Sequence, residues 1–327
     1  MIIDTHAHFT PQAMLDALLK EAGRFPNVDI SHEDGHYKLA FNGGAPTRPI
    51  APKLRETDER LGWMDQCSID AQVTGGWLDS FGYELPAGEG AAWSRFLNEH
   101  LMNGTDGEKR LTPLASVPLQ SGKLAAEVLQ EAMNAGFVGA MIGTQPHATT
   151  GNLDDADLDP FWEAASDLGA VLYLHPMFGC GDPRLLDYDM MNAVGRGVDT
   201  TTAISRLLFS GHFLKYTGMK FVLSHGGGGI PYLLGRLARN HDIHPGKYAD
   251  PVAGFKTLYF DSVLFEEEAL KFLATQSGTE RIMLGSDYPF PIGDPDPCAI
   301  VHRCGFGGGA ENAILGDTAQ EVFGIKA

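Results

Sequence analysis

Short apolar runs alternate along this chain with stretches in which apolar residues recur at helical spacing. Apolar runs bounded by turn residues are typical of strands that are buried on both faces of a sheet. Between them, the spacing of Met14, Leu15, Leu18 and Leu19 exemplifies a pattern that predicts amphipathic helices. The predicted strands begin near residues 2, 70, 111, 137, 170, 219, 257 and 281.

Eight such strand and helix units predict an α/β fold, a (β/α)₈ TIM barrel formed as a single domain by residues 1–327. An open doubly wound sheet is the structural alternative, because it shows the same alternation. Its usual nucleotide signature is missing from the sequence. No Gly-x-Gly-x-x-Gly follows the first predicted strand, and no Walker-type phosphate loop occurs in the chain. The pattern therefore favours the barrel.

The alternation is interrupted after the first predicted helix. Residues 28–30 and 37–41 have the pattern of two short strands around the turn-forming residues Glu33, Asp34 and Gly35. We therefore expect a small β-hairpin insertion after strand 1, at about residues 25–50. Further along, residues 176–199 are expected to form a long loop before a helix over 200–214.

Charge narrows the classes of function. The chain has 24 Lys and Arg against 42 Asp and Glu, a formal net charge of −18. Phosphate backbones and anionic lipid surfaces attract concentrated positive charge, so we expect neither a nucleic acid nor a membrane as a partner. No apolar run reaches the length of a spanning helix, and no basic segment followed by an apolar one opens the chain. These features predict a cytoplasmic protein.

The cysteines add no metal or disulfide pattern. Cys67, Cys180, Cys298 and Cys304 are far apart and form no Cys-x-x-Cys pair. The sequence therefore predicts neither a disulfide framework nor a thiolate zinc site.

Histidine and aspartate side chains mark the carboxyl ends of several predicted strands. His6 and His8 lie two residues apart in the first strand, so they point to the same side. His175 ends the fifth strand, His225 the sixth and Asp287 the eighth. In a barrel these strand ends meet at one rim, where active sites lie. The sequence therefore predicts a metal site at this rim.

Three imidazoles and a carboxylate suit one divalent ion, preferably Zn²⁺, with Mn²⁺ as the other candidate. We expect His6, His8, His175 and Asp287 to be the ligands. His225 opens a run of four glycines and is left for acid/base catalysis, together with Asp287.

Four motifs occur along the chain: DTHAHF at residues 4–9, LHP at 174–176, SHGGG at 224–228 and GSDYPFP at 285–291. Together they resemble the amidohydrolase superfamily, and in particular its decarboxylase branch, whose type member is α-amino-β-carboxymuconate-ε-semialdehyde decarboxylase. The resemblance spans nearly the whole chain. It implies a (β/α)₈ barrel with one zinc ion, held by the four ligands named above.

The resemblance also implies how a substrate is held. Arg48 and Arg236 match arginines that bind the substrate carboxylate in the type member, the second from across the interface of a homodimer. Arginine suits carboxylates because its fork donates to both oxygens. Trp77 and Phe178 are expected to line the pocket. Phe178 lies where the type member has a different sequence, so that member's own substrate is not carried over.

No lysine occurs between Lys123 and Lys215, so the predicted fourth strand cannot supply the carboxylated lysine that bridges two metals in binuclear amidohydrolases. A single ion is therefore expected. The function that follows is metal-dependent, non-oxidative decarboxylation of an aromatic or unsaturated, muconate-like carboxylic acid. The alternative is a metal-dependent hydrolase of the same branch, which cleaves a C–C, lactone or amide bond.

Overall fold

The structure, a computed structural model, describes residues 1–21, 23–147, 150–177 and 181–326. Phe178 and Cys180 lie outside the described residues, so the expectation that Phe178 lines the pocket stays a prediction. The described cysteines, Cys67, Cys298 and Cys304, are free thiols.

The strands of the described chain are mostly short and mostly parallel. In chain order they are β1 (Ile3–Phe9), β2 (Val28–Glu33), β3 (His36–Phe41), β4 (Ala71–Gly76), β5 (Leu111–Pro113), β6 (Gly139–Gly143), β7 (Val171–His175), β8 (Lys220–Leu223), β9 (Leu258–Asp261) and β10 (Ile282–Met283).

Eight of these strands close into a parallel barrel. Ladder hydrogen bonds form two sheets, in the orders β1-β4-β5 and β10-β9-β8-β7-β6. Parallel bridges join the sheets at both seams, from Ala115 to Ala140 and from Ala7 to Tyr288. At the second seam, His8 N donates to Tyr288 O at 2.8 Å. Because both edges are paired, the predicted (β/α)₈ barrel is confirmed and the open-sheet alternative is wrong.

The remaining two strands form an antiparallel hairpin between β1 and β4 in the chain. β2 and β3 pair along their whole lengths. Asp34 and Gly35 connect them with positive φ angles of 49° and 77°, the conformation of a tight two-residue hairpin turn. Leu39 on the buried face belongs to the same hydrophobic cluster as Trp77, which follows β4. The hairpin therefore packs beside the rim where the site is expected.

Helices surround the barrel. They are α1 (Gln12–Lys20), α2 (Pro52–Arg55), α3 (Thr57–Gln66), α4 (Ala87–Thr105), α5 (Gly122–Asn134), α6 (Asp159–Asp167), α7 (Arg196–Ser210), α8 (His212–Lys215), α9 (Ile230–Asp242), α10 (Pro251–Phe255), α11 (Glu267–Ser277), α12 (Pro297–Cys304), α13 (Gly308–Asn312) and α14 (Thr318–Phe323). None of the helices in the described part of the chain is both long and apolar enough to cross a bilayer.

Helix α7 begins earlier than the sequence predicted. It starts at Arg196, and a π-helical turn over Met191–Gly195 precedes it. The expectation of a loop up to residue 199 was therefore wrong. Gly195 and Gly197 have low helix propensity, so the sequence around Arg196 did not predict the start of a helix.

Every residue of β1, β4, β6 and β7 is buried. Burial on both faces explains why strands such as β6 and β7 appear as nearly continuous apolar runs in the sequence. His6 and His8 of β1 are buried like their apolar neighbours, at 0% exposure each. Polar groups so deep in a core are costly unless something satisfies them.

Candidate metal centre and active site

Five side chains meet at the carboxyl ends of the barrel strands. His6 and His8 lie in β1 and His175 is the last residue of β7, while His225 and Asp287 follow β8 and β10. The ring centroids of His6 and His175 are 5.1 Å apart, and those of His8 and His175 are 4.8 Å apart. The structure thus brings together all five residues that were expected at this rim.

Four buried atoms of this cluster make no hydrogen bond. They are Nε2 of His6, Nε2 of His8, Nε2 of His175 and Oδ1 of Asp287. Leaving a buried polar atom unsatisfied costs about 1–3 kcal/mol. Four of them side by side indicate that a bound cation belongs among them.

The Nδ1 atoms of the same three imidazoles face oxygen acceptors. The pairs are His6 with Asp261 Oδ2 at 2.6 Å, His8 with Gly76 O at 3.3 Å, and His175 with Pro176 O at 2.9 Å. A proton on Nδ1 leaves a lone pair on Nε2, which is the arrangement of metal-binding histidines. With Nδ1 protonated, each of the three rings has a lone pair on Nε2 that a metal ion can bind.

Distances within the cluster fit a coordination shell. Asp287 Oδ1 lies 3.4 Å from His6 Nε2 and 3.2 Å from His8 Nε2. Two atoms that each bind one ion at about 2.1 Å are separated by roughly 3.0–3.4 Å. The residues present therefore fit a divalent ion.

His225 takes a different position from the other histidines. Its Nε2 lies 3.5 Å from Asp287 Oδ2, and its side chain keeps 21% exposure. The ligand-type atoms of His6, His175, His225 and Asp287 all lie within 4.8 Å of one another, so distance alone also allows His225 as a ligand in place of His8. The atoms without hydrogen bonds favour His8. The ligand set and the acid/base role of His225 stay predictions.

The backbone is strained at two of these residues. His225 and Asp287 have φ angles of 52° and 59°, in the left-handed region that residues other than glycine rarely adopt. The glycines after His225 allow a close approach to α7, because a Cβ on Gly228 would lie 2.7 Å from Gly197 O. Strain of this kind often accompanies functional sites.

Protonation states suit a metal centre. Burial lowers the pKa of His8 and holds the pKa of His175 well below its usual value, so both rings are neutral. Burial opposes ionisation of Asp287, but the neighbouring imidazoles, His6 foremost, outweigh it and hold its pKa well below the usual range. For His6, burial lowers the pKa, yet the carboxylates of Asp287 and Asp261 raise it overall. A cation at His6 Nε2 is therefore favoured.

Asp261 is a functional residue that the sequence reasoning missed. Besides bonding His6, its carboxylate accepts from the backbone N–H groups of His225 and Gly226, each at 2.9 Å, and from Tyr173 OH at 3.1 Å. It thereby holds the His6 imidazole and the turn that carries His225 in position. The available signal was its place as the last residue of β9, because the carboxyl end of a barrel strand is where chemistry is expected.

Beneath the cluster lies a fully buried polar network. Arg60 of α3 donates from Nη1 to Gln72 Oε1 at 2.6 Å and from Nη2 to the carbonyl oxygen of His8. Gln72 Nε2 in turn donates to Asp4 Oδ2 at 2.7 Å, and Ser286 Oγ donates to the same oxygen at 2.6 Å. The network therefore ties the backbone of β1 to the segment before Asp287.

The buried charges of this network perturb each other. Burial lowers the pKa of Arg60 to about 10, against the raising effects of Tyr288 and Asp4. Burial raises the pKa of Asp4 to about 6, although its hydrogen bonds lower it. No sequence pattern distinguished Arg60 from a surface residue of a helix.

A cavity of about 220 Å³ opens in front of the cluster, and we call it the site cavity. It is lined by Arg48, Trp77, Leu78, His175, Asn192, Arg196, Asp287, Phe290, Pro291 and Ile292. Arg48 and Trp77, which were expected to contact the substrate, are among these lining residues, and their roles stay predictions. Arg196 and Asn192 were missed, because they lie in the segment that was expected to be a loop.

Arg48 has a carboxylate partner in the cavity wall. Its Nε donates to Asp79 Oδ2 at 3.1 Å and its Nη2 to Asp79 Oδ1 at 3.0 Å. The carbon between its guanidinium nitrogens lies 5.5 Å from the centroid of a Trp77 ring. Asp79 is buried, while half of the Arg48 side chain is exposed. The buried carboxylate therefore holds the Arg48 guanidinium in a fixed orientation in the cavity wall.

Arg236 is not among the residues that line the site cavity of this chain. It lies on an exposed part of α9, five residues after Pro231. Its predicted role in a neighbouring subunit's site stays a prediction.

Comparison with known proteins gives a consistent family. The model of the family described as Amidohydrolase matches residues 3–325. A similar protein is the 2-amino-3-carboxymuconate-6-semialdehyde decarboxylase of Dictyostelium discoideum, at 28% identity over 99% of this chain and 91% of the relative.

Solved structures share the fold over the whole chain. The 5-carboxyvanillate decarboxylase of Sphingomonas paucimobilis superposes with a TM-score of 0.83 at 23% identity, over 99% of each chain. A dihydroxybenzoic acid decarboxylase of Polaromonas sp., with bound manganese and the inhibitor 2-nitroresorcinol, superposes with a TM-score of 0.78 at 22% identity, over 100% of this chain and 98% of that one. The resemblance seen in the sequence motifs is confirmed, and this chain belongs to the amidohydrolase family.

Proposed function

We propose that this chain is a metal-dependent, non-oxidative decarboxylase of an aromatic or unsaturated carboxylic acid, with residues 1–327 acting as one domain. The observation that carries the proposal is the cluster of four buried atoms without hydrogen bonds, on neighbouring histidine and aspartate side chains beside the site cavity. The decarboxylase names of the relatives described above support the reaction type.

His6, His8, His175 and Asp287 are the proposed ligands of one divalent ion. Three imidazoles and a carboxylate favour Zn²⁺, and Mn²⁺ is the alternative, since manganese is bound in the Polaromonas enzyme. A divalent ion held by these residues would supply Lewis acidity. Asp261 keeps His6 in the tautomer that such an ion needs.

Arg48 and Trp77 position the substrate. The Arg48 guanidinium, held by Asp79, faces a cavity that the apolar side chains of Phe290 and Ile292 also line. A carboxylate is attracted to the arginine, and a planar ring packs against the aromatic wall. In the proposed homodimer, Arg236 of the partner subunit adds a second contact to the carboxylate.

The reaction breaks the bond between the substrate carbon and its carboxylate. The bonding electron pair stays on the substrate carbon, CO₂ leaves, and that carbon takes up one proton. His225 and Asp287 move this proton, because His225 Nε2 lies 3.5 Å from Asp287 Oδ2 and the His225 ring reaches solvent. Phe290, Pro291 and Ile292 form an apolar part of the cavity wall beside Asp287.

The test combines metal analysis with product analysis. We expect about one equivalent of divalent metal per chain in the purified protein, and release of CO₂ from members of a panel of aromatic and muconate carboxylates. Turnover without CO₂, with ¹⁸O from labelled water in the product, contradicts decarboxylation and assigns the hydrolase reaction instead. A protein without metal contradicts both reactions.

A further inference from the structure

The site cavity contains a second guanidinium, that of Arg196. This residue opens α7 directly after the π-helical turn over Met191–Gly195. Asn192 lies four residues earlier, on the same side of this helical segment, and both side chains line the cavity with His175 and Asp287. Single π turns of this kind often occur at functional sites, because they re-aim side chains.

The Arg196 side chain is fixed beside the metal centre. Its Nη1 donates to Pro176 O at 3.1 Å and to Met177 O at 3.4 Å, in the segment that follows His175. Burial lowers the pKa of Arg196 and the guanidinium of Arg48 lowers it further, against the raising effects of the carboxylates of Asp287, Asp79 and Asp199. Two cations in one partly buried space repel each other, and an anion between them relieves the repulsion.

The two arginines reach the cavity from different parts of the fold. Arg48 follows the β2–β3 hairpin and forms its bidentate pair with Asp79, whereas Arg196 comes from the start of α7 and binds carbonyl groups. They therefore face a ligand from separate elements, and each can hold a different substituent. Asn192 adds an amide beside Arg196.

We propose that Arg196 is a substrate-binding residue that selects carboxylic acids with a second acidic group, either a carboxylate or an ionised hydroxyl. The inference rests on the proposed function only in taking the substrate to be a carboxylic acid. Arg48 holds one anionic group of the substrate, and Arg196 with Asn192 holds the other. A guanidinium fork suits this task, since it donates two parallel hydrogen bonds to an anionic oxygen pair.

Calorimetric titration of the metal-loaded protein with isophthalate and benzoate tests the proposal. We expect the wild-type protein to bind isophthalate more tightly than benzoate. Arg196→Gln should weaken isophthalate binding by about 30-fold, the worth of a hydrogen bond to a charged group, and benzoate binding by less than about threefold. Arg196→Lys should recover part of the isophthalate affinity, because it restores the charge. Arg206→Gln on the same helix, whose guanidinium pairs with Asp154 on the surface, should bind both probes like the wild type.

Equal wild-type affinities for the two probes, or equal losses in Arg196→Gln, overturn the proposal. Metal content separates binding from structure: if Arg196→Gln loses its metal, the residue supports the His175 segment and the proposal is wrong. The binding experiment needs no turnover. Absence of CO₂ release therefore contradicts the decarboxylase function alone, while a preference for isophthalate that depends on Arg196 still supports this inference.

Discussion

The site cavity and a groove between α3 and α12 differ in what their walls offer a ligand. The groove, lined by Lys53, Cys67, Cys298 and His302 among others, has a volume of about 980 Å³, against about 220 Å³ for the site cavity. Its ionisable groups form surface pairs. His302 Nδ1 lies 2.7 Å from Glu311 Oε1, for example, with half of the histidine exposed.

The two regions differ in whether their buried polar atoms make hydrogen bonds. In the site cavity, His175 and Asp287 each keep a buried polar atom that makes no hydrogen bond. None of the described side chains that line the groove has such an atom. A buried polar atom without a partner costs free energy, and such atoms occur singly elsewhere in the described chain as well. Their clustering on three imidazoles and one carboxylate, and not cavity volume, therefore distinguishes the site cavity from the groove.

The largest effect is expected from His175→Ala. Removal of one of the four atoms that face the proposed ion should abolish stoichiometric metal binding and reduce turnover to the background rate, because an incomplete shell holds the ion weakly. Metal content by mass spectrometry and CO₂ release measure this. His241→Ala, which removes a partly exposed histidine of α9, serves as the control and should change neither. Full metal content in His175→Ala would contradict the claim that the buried atoms without hydrogen bonds form the metal site.

Arg60→Met should have the next largest effect, on stability. The substitution keeps the apolar stem but leaves Gln72 Oε1 and the His8 carbonyl without their buried donor. We expect a loss of about 3 kcal/mol in the free energy of unfolding, measured by urea denaturation. The matched change in the groove is Arg303→Met, which removes a half-exposed pair with Glu267 and should cost less than about 1 kcal/mol. Similar losses for the two variants contradict the contrast between the regions.

Asp261→Asn tests the contrast between the site cavity and the groove by replacing a single carboxylate oxygen. Asparagine keeps the shape, but its amide cannot accept all the hydrogen bonds that the carboxylate receives from His6, His225 and Gly226. We expect metal affinity or turnover to fall about 10–100-fold, as for other partners of metal-binding histidines. Competition with a chelator measures the affinity. The control Asp296→Asn in the groove should leave the metal affinity unchanged. An unchanged metal affinity in Asp261→Asn would contradict the proposed role of Asp261 in positioning His6.

Elements with a periodic signal could be predicted from the sequence. The eight strands, the closed barrel and the meeting of His6, His8, His175, His225 and Asp287 all follow from apolar runs and from the rule that strand ends share a rim. Arg48 and Trp77, named from the sequence as substrate contacts, line the site cavity, and their roles stay predictions.

Residues whose roles depend on contacts between distant segments could not be predicted. Arg60 lies in the mostly polar helix α3, and only its contacts with distant segments, such as the carbonyl oxygen of His8 in β1, make it a buried donor. Arg196 was hidden because glycines on both sides of it weaken the helical pattern. Asp261 had a signal, its place at the end of β9, but without a neighbouring histidine in the sequence it was not recognised.

The smallest effect is expected from the double substitution Cys67→Ser and His302→Ala in the groove. Thiol and imidazole side chains are metal ligands by type, so a count of residue types alone would make this groove a second metal site. Its Cys298 thiol has a pKa raised to about 12 by burial, which disfavours the thiolate that metals bind. We therefore expect the variant to keep the wild-type metal content and turnover, measured side by side with His175→Ala. A fall from two equivalents of metal to one would show that the groove binds an ion, and the unsatisfied atoms would then no longer distinguish the two regions.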